Sequence, residues 1–185
     1  MRVSKTEADR SKERIVESAS KLFRERGFEK VSVSEIMKDA GMTHGGFYRH
    51  FSSKDELMEE ACNYAFDKTQ ASFSEMGLEC ALNQYLSESH MNNPATGCVI
   101  AALAGEVSRQ HVSLQDCFSA GMKKQIDVLS DLLDQDRGGD CESRQKAILM
   151  FSTMIGALLM ARSSKDIELS REILTTAINS LQKTQ

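Results

Sequence analysis

The residues best suited to a chemical task run from Thr43 to Lys54, in the order THGGFYRHFSSK. Phe47 and Phe51 are four apart and share one side of a helix. The other side carries Thr43, His44, Gly45, Tyr48, Arg49 and His50, a small, polar and cationic face. Such side chains suit nucleic acid. An arginine reads guanine with two parallel hydrogen bonds, and hydroxyl, imidazole and ammonium groups hold phosphates. Thr43, His44 and Arg49 are expected at base edges. Tyr48, His50 and Lys54 are expected at phosphates, with help from Ser32 and Ser34 on the preceding helix. Paired glycines cost about 1 kcal/mol each inside a helix. Gly45 and Gly46 make sense where the backbone must approach a partner closely, as in a major groove. The competing reading is a loop whose phenylalanines only cover a core.

The flanking sequence supplies the elements that would hold this face. Ser32 and Glu35 form a capping box, so a helix should start at Val33 and bury Ile36, Met37 and Ala40. Gly41 can end it in a left-handed conformation. Thr43 can cap the short helix that follows, and Ser53 with Glu56 reads as a second capping box opening a longer one. A first helix is expected from about Thr6 to Arg26, with Ile15, Ala19, Leu22 and Phe23 on its buried side. Gly27 should end it and let Phe28 fold onto Phe23. Arg2, Lys5, Arg10 and Lys12 form either a phosphate-touching arm or a solvated helix face. Two short helices joined by a glycine turn are the sequence form of a helix-turn-helix.

The run LFRERGFEKVSVSEIMKDAGM followed by THGGFYRHFSSKDEL resembles the DNA-binding domain of the TetR family of bacterial transcriptional regulators, over about residues 11–60. The resemblance implies an all-α, nine-helix subunit: a helix-turn-helix DNA-binding domain over residues 1–53, then a helical effector-binding and dimerisation domain over 54–185. It implies a homodimer joined through the last two helices, most often a repressor, acting on double-stranded operator DNA. In that family the tyrosine and lysine matching Tyr48 and Lys54 contact phosphates. Some members sense electrophiles or oxidants through cysteine.

Composition agrees with a helical protein. There is one proline, at Pro94, and 41% of the residues are hydrophobic. Net charge is −4, yet residues 1–56 hold 12 basic and 10 acidic residues, a mildly basic head on an acidic body. The N-terminal segment lacks an apolar signal region, and apolar runs such as Cys98 to Ala104 are short. A cytoplasmic protein with no membrane association is therefore expected. Five cysteines without a CxxC pair fit a reducing compartment. No nucleophile elbow, phosphate-binding loop or HExxH helix is present, so no enzyme is expected. His90, Cys98, His111 and Cys117 match no zinc spacing, and neither a metal nor a cofactor is expected.

Beyond residue 54 the reading is coarser. A helix from Ser53 to about Phe73 should link the head to the body, burying Leu57, Met58, Ala61, Ala65 and Phe66. A short helix through Leu82, Tyr85 and Leu86 should lead into a loop from His90 to Gly97. Helices should follow over Cys98 to Gln110 and, capped by Ser113 with Asp116, to Gln135, then a turn over 136–140. The last two helices carry the longest apolar stripes. Phe151, Ile155, Leu158, Leu159, Leu174, Ile178 and Leu181 are the expected dimer interface, and Gly156 with Ala157 would allow close helix approach. A hydrophobic small-molecule effector is expected among Tyr64, Tyr85, Val99, Leu103, Phe118, Met122 and Met154. The alternatives are a helical protein-protein adaptor, and a redox-sensing regulator acting through Cys98 at a helix N-terminus.

Overall fold

Helix starts and stops in the sequence set the element order. The computed structural model describes residues 5–134 and 141–183; the expected turn over 136–140 lies outside them. The described α-helices are α1 (Lys5–Arg26), α2 (Val33–Asp39), α3 (Lys54–Met76), α4 (Leu78–Tyr85), α5 (Glu88–Asn92), α6 (Val99–Val107), α7 (Val112–Asp134), α8 (Cys141–Ser163) and α9 (Ile167–Lys183). Two tighter 3-10 segments, His44–Arg49 and Pro94–Thr96, complete the helical parts. The short helix expected after Thr43 is thus a 3-10 segment, and the loop expected from His90 to Gly97 contains the end of α5 and a 3-10 turn.

Local chemistry explains most boundaries. The Ser32 hydroxyl accepts from the Glu35 amide, and the Glu35 carboxylate accepts from the Ser32 amide at 2.9 Å, a complete capping box. Gly27 and Gly41 take φ of +85° and +70°, where a side chain would be strained. Phe28 packs on Phe23 with ring centroids 5.2 Å apart. The second box is only half formed. The Ser53 hydroxyl caps the Glu56 amide at 3.1 Å, but the Glu56 carboxylate reaches back to the amide and hydroxyl of Ser52. Thr43 makes no side-chain cap. Helix α7 starts one residue before Ser113, and His111 Nδ1 faces the Leu114 amide at 3.3 Å in the capping position.

Helices α1 and α2 and the 3-10 segment form a head around Ile15, Phe23, Ile36, Met37, Phe47 and Phe51. Helix α3 leaves the head and packs along α7; α7 packs on α8, and α8 on α9. Helix α1 also reaches the body, lying against α3, α6 and the Pro94–Thr96 turn. The buried residues of head and body form one cluster. The close helix approach occurs at Gly121 of α7, where a Cβ would run into the Phe66 ring of α3. Gly156, expected in that role, has open space at its Cβ position.

Within residues 142–163 an 18-residue window reaches a mean hydropathy of 1.3, long and apolar enough by composition to cross a membrane, a longer apolar stretch than the sequence expectation of short runs. In the fold this helix is packed between α7 and α9. Phe151 and Leu158 of α8, with Leu174 and Leu181 of α9, are buried inside the subunit. Within the subunit they are core residues, and Ile155 and Ile178 are partly buried against the same core. Of the expected interface only Leu159 is openly exposed, alongside Ile148, Leu149 (63% exposed) and Met160 (58%). The stripe read from the sequence straddles two faces of one helix, because α8 is apolar nearly all round.

Candidate nucleic-acid interface and body cavity

The Phe47 and Phe51 rings stack 5.6 Å apart inside the head and anchor the segment between them. That anchor turns Thr43, His44, Gly45, Tyr48 and Arg49 outward, with Tyr48 69% exposed. The His44 and Tyr48 rings meet edge-on at 6.4 Å. Nothing lies within 4 Å of the position a Gly45 Cβ would take, so the backbone there is open to a partner. Ser34 is exposed and His50 half-buried.

Two of the expected contacts are already engaged. The Ser32 hydroxyl serves the α2 cap. The Lys54 ammonium turns inward, donating to the Phe28 carbonyl at 2.6 Å and lying 5.9 Å from the Phe23 ring centroid. It is first a strut between α3 and the loop after α1, with two protons left for a phosphate. In the basic arm, Lys12 pairs with Glu60 at 2.6 Å and lies over the Phe51 ring, so it belongs to the head's scaffold. The Arg14 guanidinium donates to the Ala40 carbonyl and fixes the end of α2, a role that no sequence spacing indicates.

A cavity of about 360 Å³ opens in the body. Its walls are Arg24 of α1, Lys68 to Met76 of α3, Tyr85 of α4, and the segment from Ser87 to Cys98. Of the residues expected to line an effector site, Tyr85 alone does so. Val99, Leu103, Phe118 and Met154 are buried in the core, and Tyr64 and Met122 pack against it. An apolar lining is expected of an effector site, whereas Arg24, Lys68, His90, Cys98 and several hydroxyls border this space, with Phe73, Met76 and Ala81 as the apolar part. The cause is position. The cavity sits at the junction of α1 with the body and not between α7 and α8.

His90 organises one wall. Its Nδ1 lies 2.6 Å from the Tyr85 carbonyl, and its Nε2 accepts from the Cys98 amide at 2.9 Å. Both ring nitrogens are satisfied when the ring is neutral, and burial holds its pKa below the usual histidine value. Cys98 is buried at the start of α6. Burial pushes the Cys62 thiol well up and the Cys117 thiol to about 11, the latter with help from Glu59, so neither is a ready thiolate. Of the four residues weighed as a metal cluster, His90 and Cys98 meet at this wall, whereas His111 and Cys117 face Glu59 of α3.

An exposed, polar helix-turn-helix face on a wholly helical body defines a DNA-binding regulator. Residues 15–61 match the model of the tetR family of bacterial regulatory proteins, and residues 77–175 match the C-terminal domain of LmrA/YxaF-like transcriptional regulators. The chain is 30% identical over 170 residues to the HTH-type transcriptional regulator Rv0196 of Mycobacterium tuberculosis, covering 84% of this chain and 86% of that one. It is 25% identical over 178 residues to the HTH-type transcriptional repressor NemR of Escherichia coli, covering 88% and 89%. The reduced form of E. coli NemR superposes with a TM-score of 0.77 at 23% identity, covering 94% of this chain and 96% of that one. A TetR regulator from Chloroflexus aurantiacus gives 0.78 at 26% identity, covering 95% and 94%. The chain belongs to the TetR family and is a helix-turn-helix transcriptional regulator.

Proposed function

We propose that this regulator is a dimeric, ligand-responsive repressor that binds an imperfectly palindromic operator. The observation that carries the reading is the outward face of Thr43, His44, Tyr48 and Arg49, held on the buried Phe47–Phe51 stack. Thr43, His44 and Arg49 read bases; Tyr48, His50 and Ser34 hold phosphates, with Lys54 as strut and phosphate contact together. Two such faces related by a dimer axis would sit about 34–36 Å apart, one turn of DNA, or a multiple of that. The exposed apolar face of α8 supports pairing of two subunits, since a soluble protein rarely leaves such a patch open. A small molecule in the body cavity would shift α1 and α3 and spoil the match to successive grooves.

The test is binding to DNA recovered by affinity selection, measured across a salt series. The log of affinity should fall linearly with the log of salt. Arg49→Ala should lose about 1–3 kcal/mol of discrimination at one base pair. Salt-independent binding, or no binding, would favour the adaptor reading.

One observation favours a second reading, in which the signal is an oxidant. Cys98 borders the same cavity as the Arg24 guanidinium. Cys98→Ser would then abolish a response to peroxide and leave release by a bound small molecule intact.

A further inference from the structure

The body cavity has a charge pattern that identifies what it would hold. Arg24 and Lys68 border it, and among the described residues no aspartate or glutamate does. The Arg24 guanidinium spends its donors on neutral carbonyls: Nε on Ser20 at 2.9 Å and Nη1 on Gly97 at 2.7 Å. It makes no ion pair among the described residues, and Nη2 has no protein acceptor there. Behind the same wall, Arg162 of α8 donates to the carbonyls of His90 at 2.7 Å and Met91 at 3.1 Å, again without a carboxylate. Lys68 lies over the Tyr64 ring at 5.5 Å and is likewise free of an acidic partner. Arg24 and Arg162 are partly buried, and such cations without counter-charges are costly unless something neutralises them, whereas Lys68 is exposed at the rim.

A second and independent observation comes from Tyr85. It lines the cavity and is 3% exposed, and its buried hydroxyl makes no well-formed hydrogen bond, having only a weak interaction with the neighbouring Cys98 thiol. A buried hydroxyl left unpaired costs about 1–3 kcal/mol, so a ligand atom that accepts from it is favoured. His90 does not compete for this role, because both its nitrogens are engaged. The apolar wall of Phe73, Met76 and Ala81 completes an amphipathic lining.

We propose that this cavity binds a small organic acid, its carboxylate held by Arg24 and Lys68, a polar atom accepting from Tyr85, and its apolar part against Phe73 and Met76. The proposal rests on the reading of the chain as ligand-responsive and names the chemical class of the effector. It also names the coupling residue. Arg24 belongs to α1, the same helix that carries the head, and its bond to Gly97 ties that helix to the cavity wall. A carboxylate that draws the guanidinium inward competes with the Gly97 carbonyl and moves α1 directly. Ligand and DNA then oppose each other reciprocally.

The experiment uses the full chain and two matched probe sets: octanoate, benzoate and phenylacetate, against octanamide, benzamide and phenylacetamide. Inorganic phosphate is a further probe. Binding is read by thermal shift and calorimetry, and DNA affinity is measured on the same samples. The expected result is that acids bind in preference to their amides and to phosphate, and lower DNA affinity about 5- to 150-fold. Lys68→Met and Tyr85→Phe should each weaken acid binding, Lys68→Met by about ten- to a hundredfold. Arg24→Gln should weaken binding and also abolish the effect on DNA. Amides binding as well as acids would overturn the proposal while leaving the ligand-responsive reading intact. No probe of either set binding to protein that still binds DNA would count against both. Acid binding unchanged in both Lys68→Met and Tyr85→Phe would place the ligand elsewhere.

Discussion

The carboxylate of Glu106, on α6, accepts a hydrogen bond of 2.9 Å from the backbone amide of Phe28, just past the end of α1. The Phe28 carbonyl accepts from the Lys54 ammonium at 2.6 Å. Phe28 is thus held at both polar ends by the body and by α3, and the head is oriented through it. Glu106→Ala should strand the Phe28 amide and cost about 1–3 kcal/mol, read by urea denaturation, with Glu106→Gln costing less because an acceptor remains. Gly27→Ala should cost more than either. It meets a positive φ and the Glu106 carboxylate at once. A neutral Gly27→Ala would show that this junction does not set the head.

The α3–α7 seam depends on a missing side chain. At Gly121 a Cβ would collide with the Phe66 ring, which itself packs edge-on against Phe118 at 5.4 Å. Gly121→Ala should therefore destabilise by about 1–3 kcal/mol, although alanine favours a helix by about 1 kcal/mol. Gly105→Ala in α6 has open space and should gain up to about 1 kcal/mol. The two midpoints in urea should move in opposite directions.

Gln125 of α7 is 1% exposed, and neither its amide nitrogen nor its oxygen has a partner. Replacing it with methionine keeps the volume and removes the unsatisfied groups. Gln125→Met should stabilise by about 1–3 kcal/mol. A loss of stability would reveal a partner for this amide.

His90 makes stability depend on pH. Its folded pKa is lowered, first by burial, and protonating Nε2 would break its bond from the Cys98 amide. The unfolded chain takes up a proton near the ordinary value of about 6.5. The contribution is then fully present above about pH 6.5 and is lost as pH falls through that value toward the lower folded pKa. Urea midpoints should drop from pH 7.5 to pH 5.5 by more in the unaltered protein than in His90→Gln. Equal drops would remove His90 as the cause.

Dimer formation should depend on the outer face of α8. Leu149→Glu with Met160→Glu should give monomers by sedimentation while leaving the helical spectrum unchanged, since both side chains are exposed in the subunit. Leu158→Asp should instead unfold the subunit, because Leu158 is fully buried. A stable dimer after the double change would place the interface on another face.

The sequence by itself determined the features whose causes are local. The Ser32–Glu35 box, the left-handed glycines at 27 and 41, the Phe23–Phe28 contact and the buried Phe47 and Phe51 all lie within a few residues of what they control, and the recognition face follows from them. The tertiary structure decided whatever depended on which helices meet. Helix α8 is apolar nearly all round, so its periodicity could not separate the core residues Phe151 and Leu158 from the exposed Leu149 and Met160. Arg24 and Cys98 are 74 positions apart, and no spacing rule connects them. They share a cavity because α1 lies against the Pro94–Thr96 turn just before α6, which brings a residue of the helix that carries the head into the wall of a site in the body.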